Sequence, residues 1–228
     1  MTFLFDPVPQ PSLPILGSDT LFPVHRIFCV GRNYAAHAAE MGHEVDREAP
    51  FYFLKSAQHL ALAEGDVPIA PRSSDYQHEI ELVVGLKSGG TNIPETEALS
   101  HVFGYGAGLD MTRRDLQAAS KAKGRPWDTA KDVEKSGIST PLKPLDSSMH
   151  HNQGLIELRV NGKVTQSADM SEHVWSLPEV IADLSTLYTL KAGDIIMMGT
   201  PAGVGPIKSG DVLEGQIANV GSFKISMI

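Results

Sequence analysis

Two glutamates stand one residue apart in Glu79-Ile80-Glu81, ahead of Leu82-Val83-Val84. The alternation reads as a strand, and on a strand residues two apart share a face. Two carboxylates on one face, with Ile80 and Leu82 on the other, can hold a hard divalent cation through oxygen. Asp110 follows the small-residue run Phe103-Gly104-Tyr105-Gly106-Ala107-Gly108-Leu109 and can add a third oxygen. In His37-Ala38-Ala39-Glu40 the spacing makes the imidazole and carboxylate neighbours on a helix. A carboxylate there fixes the ring tautomer and raises its basicity, as a general base requires. Gly199-Thr200-Pro201-Ala202-Gly203-Val204-Gly205-Pro206 is a loop that bares backbone N–H groups and lets a ligand approach. Each motif alone also fits a plainer role: a solvated strand face, a turn or cap, a surface pair, a simple turn.

The elements that must position these groups are short. Arg26–Gly31 and Phe51–Leu54 read as strands, with an alanine-rich helix from Asn33 to Met41 between them, stopped by Gly42. Residues 63–78 read as turns around a short strand. Thr112–Lys123 reads as a helix capped by Thr112, with Asp115 three residues on. Residues 137–154 read as a loop. Asn161-Gly162 predicts a hairpin between Leu155–Val160 and Val164–Ser167. Ser176 and Glu179 form a capping box before the helical stripe Val180, Ile181, Leu184, Leu187 and Tyr188. Asp194–Met198 and Asp211–Ile228 read as strands, the latter broken at Asn219-Val220-Gly221. Without a strand–helix rhythm, the expected class is α+β, mostly β. The proline-rich residues 1–24 read as an extended arm before a single catalytic domain over 25–228.

Composition narrows the function classes. Of the 228 residues, 42% are hydrophobic and 20% charged, ordinary values for a globular chain. The 19 Lys and Arg against 27 Asp and Glu give a net charge of −8, which argues against a phosphate-backbone partner. Apolar runs fall far short of the ~20 residues of a membrane helix, and no signal peptide is legible. The single cysteine, Cys29, excludes an internal disulfide and reads as a small buried hydrophobe. Together these lead to the expectation of a cytoplasmic protein without nucleic-acid or membrane partners. No Gly-x-Ser-x-Gly elbow, P-loop or His-Glu-x-x-His is present.

Six blocks in order resemble the fumarylacetoacetate hydrolase family. They are Cys29-Val30-Gly31-Arg32-Asn33-Tyr34 with His37 and Glu40; Phe53-Leu54-Lys55; His78-Glu79 with Glu81-Leu82; Leu109-Asp110-Met111-Thr112 with Arg114, Asp115 and Gln117; Pro126-Trp127 with Lys131; and Gly199-Thr200-Pro201. Phe22-Pro23-Val24, Gly124-Arg125-Pro126-Trp127-Asp128 and Asp169-Met170-Ser171 are similar to the short bacterial fumarylpyruvate hydrolases of gentisate degradation. The resemblance implies a mixed β-roll with a few short helices, usually dimeric.

It also implies roles. Glu79, Glu81 and Asp110 stand where such enzymes hold Mg²⁺, sometimes Mn²⁺ or Ca²⁺. His37 and Glu40 stand at the water-activating dyad, in a segment that is often a mobile lid. Gln117 and Lys131 stand where relatives steady an oxyanion or position water. Lys55, Arg114 and Thr200 match positions lining the substrate pocket, with Arg114 expected to read the far carboxylate of a dicarboxylate. The implied reaction is hydrolysis of a C–C bond in a 2,4-dioxo acid, 3-fumarylpyruvate giving fumarate and pyruvate. Acylpyruvate hydrolysis and oxaloacetate decarboxylation are the alternatives on the same fold.

Overall fold

A computed structural model describes residues 2–42, 44, 47–146 and 152–228. Its centre is a mixed sheet, in the order Phe51–Lys55, Arg26–Gly31, Asp194–Met197, Ile80–Leu86, Val102–Asp110, Gly137–Ser139, Leu60–Leu62. Lys143–Pro144 also pairs with Val102–Asp110. A second sheet runs Lys163–Asp169, Leu155–Val160, Val212–Ile217, Gly221–Met227, Glu64–Val67.

Both faces of the central sheet are covered, so its strands are apolar on both sides. Alternation sorts their side chains into two cores. Phe28, Leu82, Val84, Ile196 and Leu109 face Ile156, Leu158, Ile217 and Ile225 of the second sheet. Ile27, Cys29, Val83, Ile195 and Met197 face the other way, onto Leu13, Phe22 and Leu142. Leu13 and Phe22 belong to a hairpin, Ser12–Pro14 with Leu21–Pro23, within the segment expected as an extended arm.

Two further readings of the chain, the loop over 137–154 and the Thr112 cap, need correction. The small-residue run is a nine-residue strand, Val102–Asp110, at the heart of the sheet. Its glycines alternate because a backbone lies against them. A Cβ on Gly108 would come within 2.3 Å of the Ile138 carbonyl, and one on Gly104 within 2.1 Å of the Lys143 carbonyl. That backbone lies within the expected loop 137–154, of which residues 137–139 and 143–144 are paired strands; residues 147–151 fall outside the described set. Thr112 does not cap the following helix, Arg114–Ala122, because it pairs with Gln77 and its hydroxyl donates to the Asp110 carbonyl.

The other helical readings follow the sequence closely. Ser176 and Glu179 close their capping box on Leu177–Leu187, which buries Val180, Ile181 and Leu184, whereas Leu187 of the expected stripe is exposed and Tyr188 follows the helix. Ala35–Glu40 forms the short helix carrying His37. Among the described residues no helix is long and apolar enough to cross a membrane.

Candidate metal centre

Glu79 follows the short strand Tyr76–His78, and Glu81 lies just inside Ile80–Leu86. Pairing sets Glu81 against Gly108, beside Asp110 at the end of its strand. One oxygen each from Glu79, Glu81 and Asp110 lies within 4.8 Å of the others, and all three residues are buried.

Buried carboxylates need partners. Lys131 Nζ donates to Glu79 Oε2 at 2.7 Å and to Asp110 Oδ2 at 2.6 Å. The Arg114 guanidinium pairs with Glu79 Oε1. Burial works to raise the Glu79 carboxyl, but Lys131 and Arg114 outweigh it and hold it well below the usual range. Burial likewise opposes the Lys131 charge, and Asp110 and Glu79 restore it, leaving its pKa raised. Glu81 has no cation of its own among the described residues; its Oε2 accepts the Gly199 N–H at 2.8 Å. Burial, then Asp110 and Glu79, push its carboxyl well above the usual range. A converging all-oxygen set with one uncompensated carboxylate suits a hard divalent cation.

Gly199 makes that bond with φ of +90°, and a Cβ there would meet Asn33 Cβ at 2.7 Å. Asn33 is buried and fixed on both amide atoms. Nδ2 donates to the Met198 and Trp175 carbonyls, and Oδ1 accepts the Trp175 N–H at 2.7 Å. This anchors the turn into the helix. His37 Nδ1 donates to Glu40 Oε2 at 3.0 Å, leaving Nε2 as the ring's acceptor, and His37 lines the same pocket as the three carboxylates. Glu40 Oε1 accepts the Gly203 N–H at 3.0 Å. Two N–H groups of the glycine loop are thus taken by this chain's own carboxylates, not left for a ligand.

The remaining expected residues separate. Gln117 gives Oε1 to the Arg114 guanidinium at 2.7 Å, so its Nε2 is the donor left for the pocket it lines. Thr200 also lines the pocket. Arg114 also lines the pocket, with three of its five N–H donors given to Glu79, to Gln77 Oε1 at 2.8 Å and to Gln117. Lys55 is not on the wall. It shares a strand face with the pocket-lining Phe51 and Phe53 but lies two residues deeper. There its Nζ sits 2.8 Å from Asp110 Oδ1 and donates to the Met111 and Lys131 carbonyls and Ser136 Oγ.

Sequence reasoning passed over Arg32, Lys121 and Trp127 as pocket residues. It also passed over Gln166, fully buried opposite Leu158. Gln166 Oε1 accepts the Ile80 N–H at 3.1 Å and meets His78 Nδ1 at 2.9 Å. A backbone N–H only donates, so the amide orientation is fixed, and Nε2 donates to Thr200 Oγ1 at 2.7 Å and the Pro201 carbonyl at 2.8 Å. The Thr200 hydroxyl therefore accepts from Gln166 and keeps its own hydrogen to donate. The readable signal was a glutamine at a core-facing strand position.

Known proteins share this arrangement of chain. The family model described as fumarylacetoacetate (FAA) hydrolase C-terminal matches residues 26–227. A fumarylpyruvate hydrolase from a Ralstonia species is 42% identical over 189 residues, 82% of this chain and 98% of the relative. A mitochondrial oxaloacetate decarboxylase from Dictyostelium discoideum is 37% identical over 190 residues, 83% of this chain and 87% of the relative. The crystal structure of fumarylpyruvate hydrolase from Pseudomonas aeruginosa, in complex with Mn²⁺ and pyruvate, matches with a TM-score of 0.96 at 40% identity, covering 100% of this chain and 99% of that one. A match that spans nearly every element described above, at these identities, means that this chain belongs to the fumarylacetoacetate hydrolase family.

Proposed function

We propose that this enzyme is a divalent-metal-dependent hydrolase that cleaves 3-fumarylpyruvate to fumarate and pyruvate, with Glu79, Glu81 and Asp110 as the ligands and Mg²⁺ as the native ion. Mn²⁺ and Ca²⁺ are compatible with the same oxygen set. The observation that carries the reading is the convergence of three buried carboxylates in one pocket with a His–Glu pair. The Mn²⁺ and pyruvate of the Pseudomonas aeruginosa neighbour, and the name of the Ralstonia relative, support the metal and the substrate.

A bound divalent cation supplies Lewis-acid stabilisation of the negative charge that develops on keto-acid oxygens. The residues supply the rest. His37, its tautomer fixed by Glu40, accepts a proton from water at Nε2, and the hydroxide adds to the C4 carbonyl. Lys131 Nζ and Gln117 Nε2 are the donors placed to steady the resulting oxyanion. The C3–C4 bond breaks, its electron pair stays on C3 as the pyruvate enolate, and the proton held by His37 returns there. Water and one dioxo acid are consumed, and fumarate and pyruvate leave.

Oxaloacetate decarboxylation is the second reading, supported by the Dictyostelium discoideum relative. It uses the same metal and enolate but no attacking water. Loss of dioxo-acid absorbance, with Mg²⁺ and with EDTA, over fumarylpyruvate, acetylpyruvate, maleylpyruvate and oxaloacetate tests both. Metal-dependent turnover led by fumarylpyruvate is expected; turnover of oxaloacetate alone would replace the first reading with the second. The further reading as a cytoplasmic homodimer of gentisate degradation, with no nucleic-acid or membrane partner, rests on the resemblance to the short bacterial enzymes and on the acidic balance of the chain.

A further inference from the structure

Two cations face the pocket without a counter-charge. Arg32 and Lys121 both line it, and among the described residues neither side chain makes a hydrogen bond or an ion pair. Their recorded partners are aromatic rings. The Arg32 guanidinium lies 5.8 Å from the Phe51 ring centroid, and Lys121 Nζ lies 5.0 Å from that of Trp127. The two rings meet edge to face at 5.0 Å, so one aromatic wall carries both charges.

Arg32 is also held in an unusual place. Its φ is +55°, a left-handed conformation that arginine rarely adopts, between Gly31 and the buried, doubly fixed Asn33. Strained backbone that the surroundings enforce tends to sit where a side chain must be aimed. Lys121 is crowded by like charge: burial first, then Arg114, Arg32 and Lys131, lower its pKa. Glu79 already answers Arg114 and Lys131. The cations left unpaired at the pocket are Arg32 and Lys121.

We propose that Arg32 and Lys121 form the subsite that reads the second carboxylate of a dianionic, extended, unsaturated dioxo acid, with Phe51 and Trp127 beside its flat conjugated chain. This rests on the dioxo-acid reading above and adds to it which residues set the acyl group. Arg114 differs from both in that its charge is already paired with Glu79, while Gln77 and Gln117 take two further N–H groups. An acylpyruvate with a neutral tail finds no partner for the two cations and is the poorer substrate.

The test is the ratio of kcat/KM for fumarylpyruvate over acetylpyruvate, with Mg²⁺, in Arg32→Met, Lys121→Met and the double variant. Losing one charge-assisted contact at a partly solvated site lowers this ratio about tenfold, the double change about a hundredfold, through KM for fumarylpyruvate. A double variant with a ratio within twofold of the parent overturns the subsite. Calorimetry of fumarate against crotonate, the same skeleton with one carboxylate fewer, reads the subsite without turnover. The parent should prefer fumarate, and the variants should lose that preference; a preference absent in the parent or unchanged in the variants also overturns the proposal. A parent that turns over neither dioxo acid, yet prefers fumarate through these two residues, refutes the hydrolase reading and leaves the anion subsite standing.

Discussion

The floor and the rim of the pocket are built on opposite terms. The floor is made by Ile80–Leu86 and Val102–Asp110, two paired strands at the centre of the largest sheet, where Glu81 and Asp110 are buried on a fully covered scaffold. The rim is Ala35–Glu40, six residues with no side-chain cap at Tyr34. A helix that short does not stand alone in water. Its ties include Asn33 below, the Tyr34–His173 bridge at its start, Glu40 to Gly203 across, and Arg47 to Glu179 beyond. The floor holds like charges together and relies on rigidity to do so. The rim holds the proton-transfer group and relies on a few bonds that can open. Electrostatic preorganisation needs the first, and passage of substrate and products needs the second.

The largest effect should come from the floor. Glu81→Gln removes the carboxylate that lacks a cation. Metal stabilisation worth several kcal/mol is lost, so kcat/KM should fall by about 10⁴-fold or more. Without metal, the same variant should melt higher than the parent, because a carboxyl raised by burial, then by Asp110 and Glu79, is gone. With Mg²⁺ the order should reverse, since only the parent gains the binding free energy. Calorimetric Mg²⁺ affinity and melting curves with and without EDTA check both signs. An Mg²⁺ affinity equal to the parent's would remove Glu81 from the ligand set.

At the rim, His37→Ala should lower hydrolysis by about 10²–10³-fold while Mg²⁺ binding stays as in the parent, the size expected for losing a general base. Oxaloacetate decarboxylation, which needs no attacking water, should change far less. Equal losses in both reactions would merge the rim with the floor and undo the contrast.

This division was only partly legible in the chain. His37-x-x-Glu40 was visible because it lies within one helix, where period sets the face, and Glu79-x-Glu81 by its alternation, although Glu79 falls between Tyr76–His78 and Ile80–Leu86. Asp110 was named but its position was not explained, since glycines at 104, 106 and 108 hide a strand whose alternation is steric rather than apolar. Arg114 was placed at the pocket, which it does line, but its pairing with Glu79 depends on distant segments meeting, which no local pattern encodes. Lys55 continues the face of Phe51 and Phe53, and only the depth of the sheet edge decides that it supports Asp110 from behind. Gln166 broke the apolar phase of its strand, a signal present in the sequence and read simply as part of a hairpin.

Gln166 joins the floor to the glycine loop that starts at Gly199, and its loss should be felt as stability before activity. Gln166→Ala strips partners from the Ile80 N–H, His78 and Thr200, all buried, at a cost of about 1–3 kcal/mol. The Tm should drop by several degrees, and KM should rise as Thr200 loses the donor that fixes its hydroxyl. Gln166→Glu should restore the bond that Oε1 accepts from Ile80 but not the donation to Thr200. Recovery of Tm without recovery of KM would separate the structural task from the positioning one; a KM that follows Tm in both variants would show that Gln166 only holds the fold.

The smallest effect should come from the outermost tie. Arg47 is half exposed, reaches Glu179 Oε1 at 2.9 Å and stacks 4.1 Å from the Trp175 ring centroid. An exposed ion pair is worth about 0–1 kcal/mol, and a surface cation–π contact adds a similar amount. Arg47→Ala should therefore leave Tm nearly unchanged. The rim has few other bonds, so the same change should speed hydrogen exchange at the amides of Ala35–Glu40 while those of Ile80–Leu86 stay protected. Faster exchange in both would mean that floor and rim open as one unit; unchanged exchange at the rim would mean that Asn33 and Glu40 hold it without Arg47.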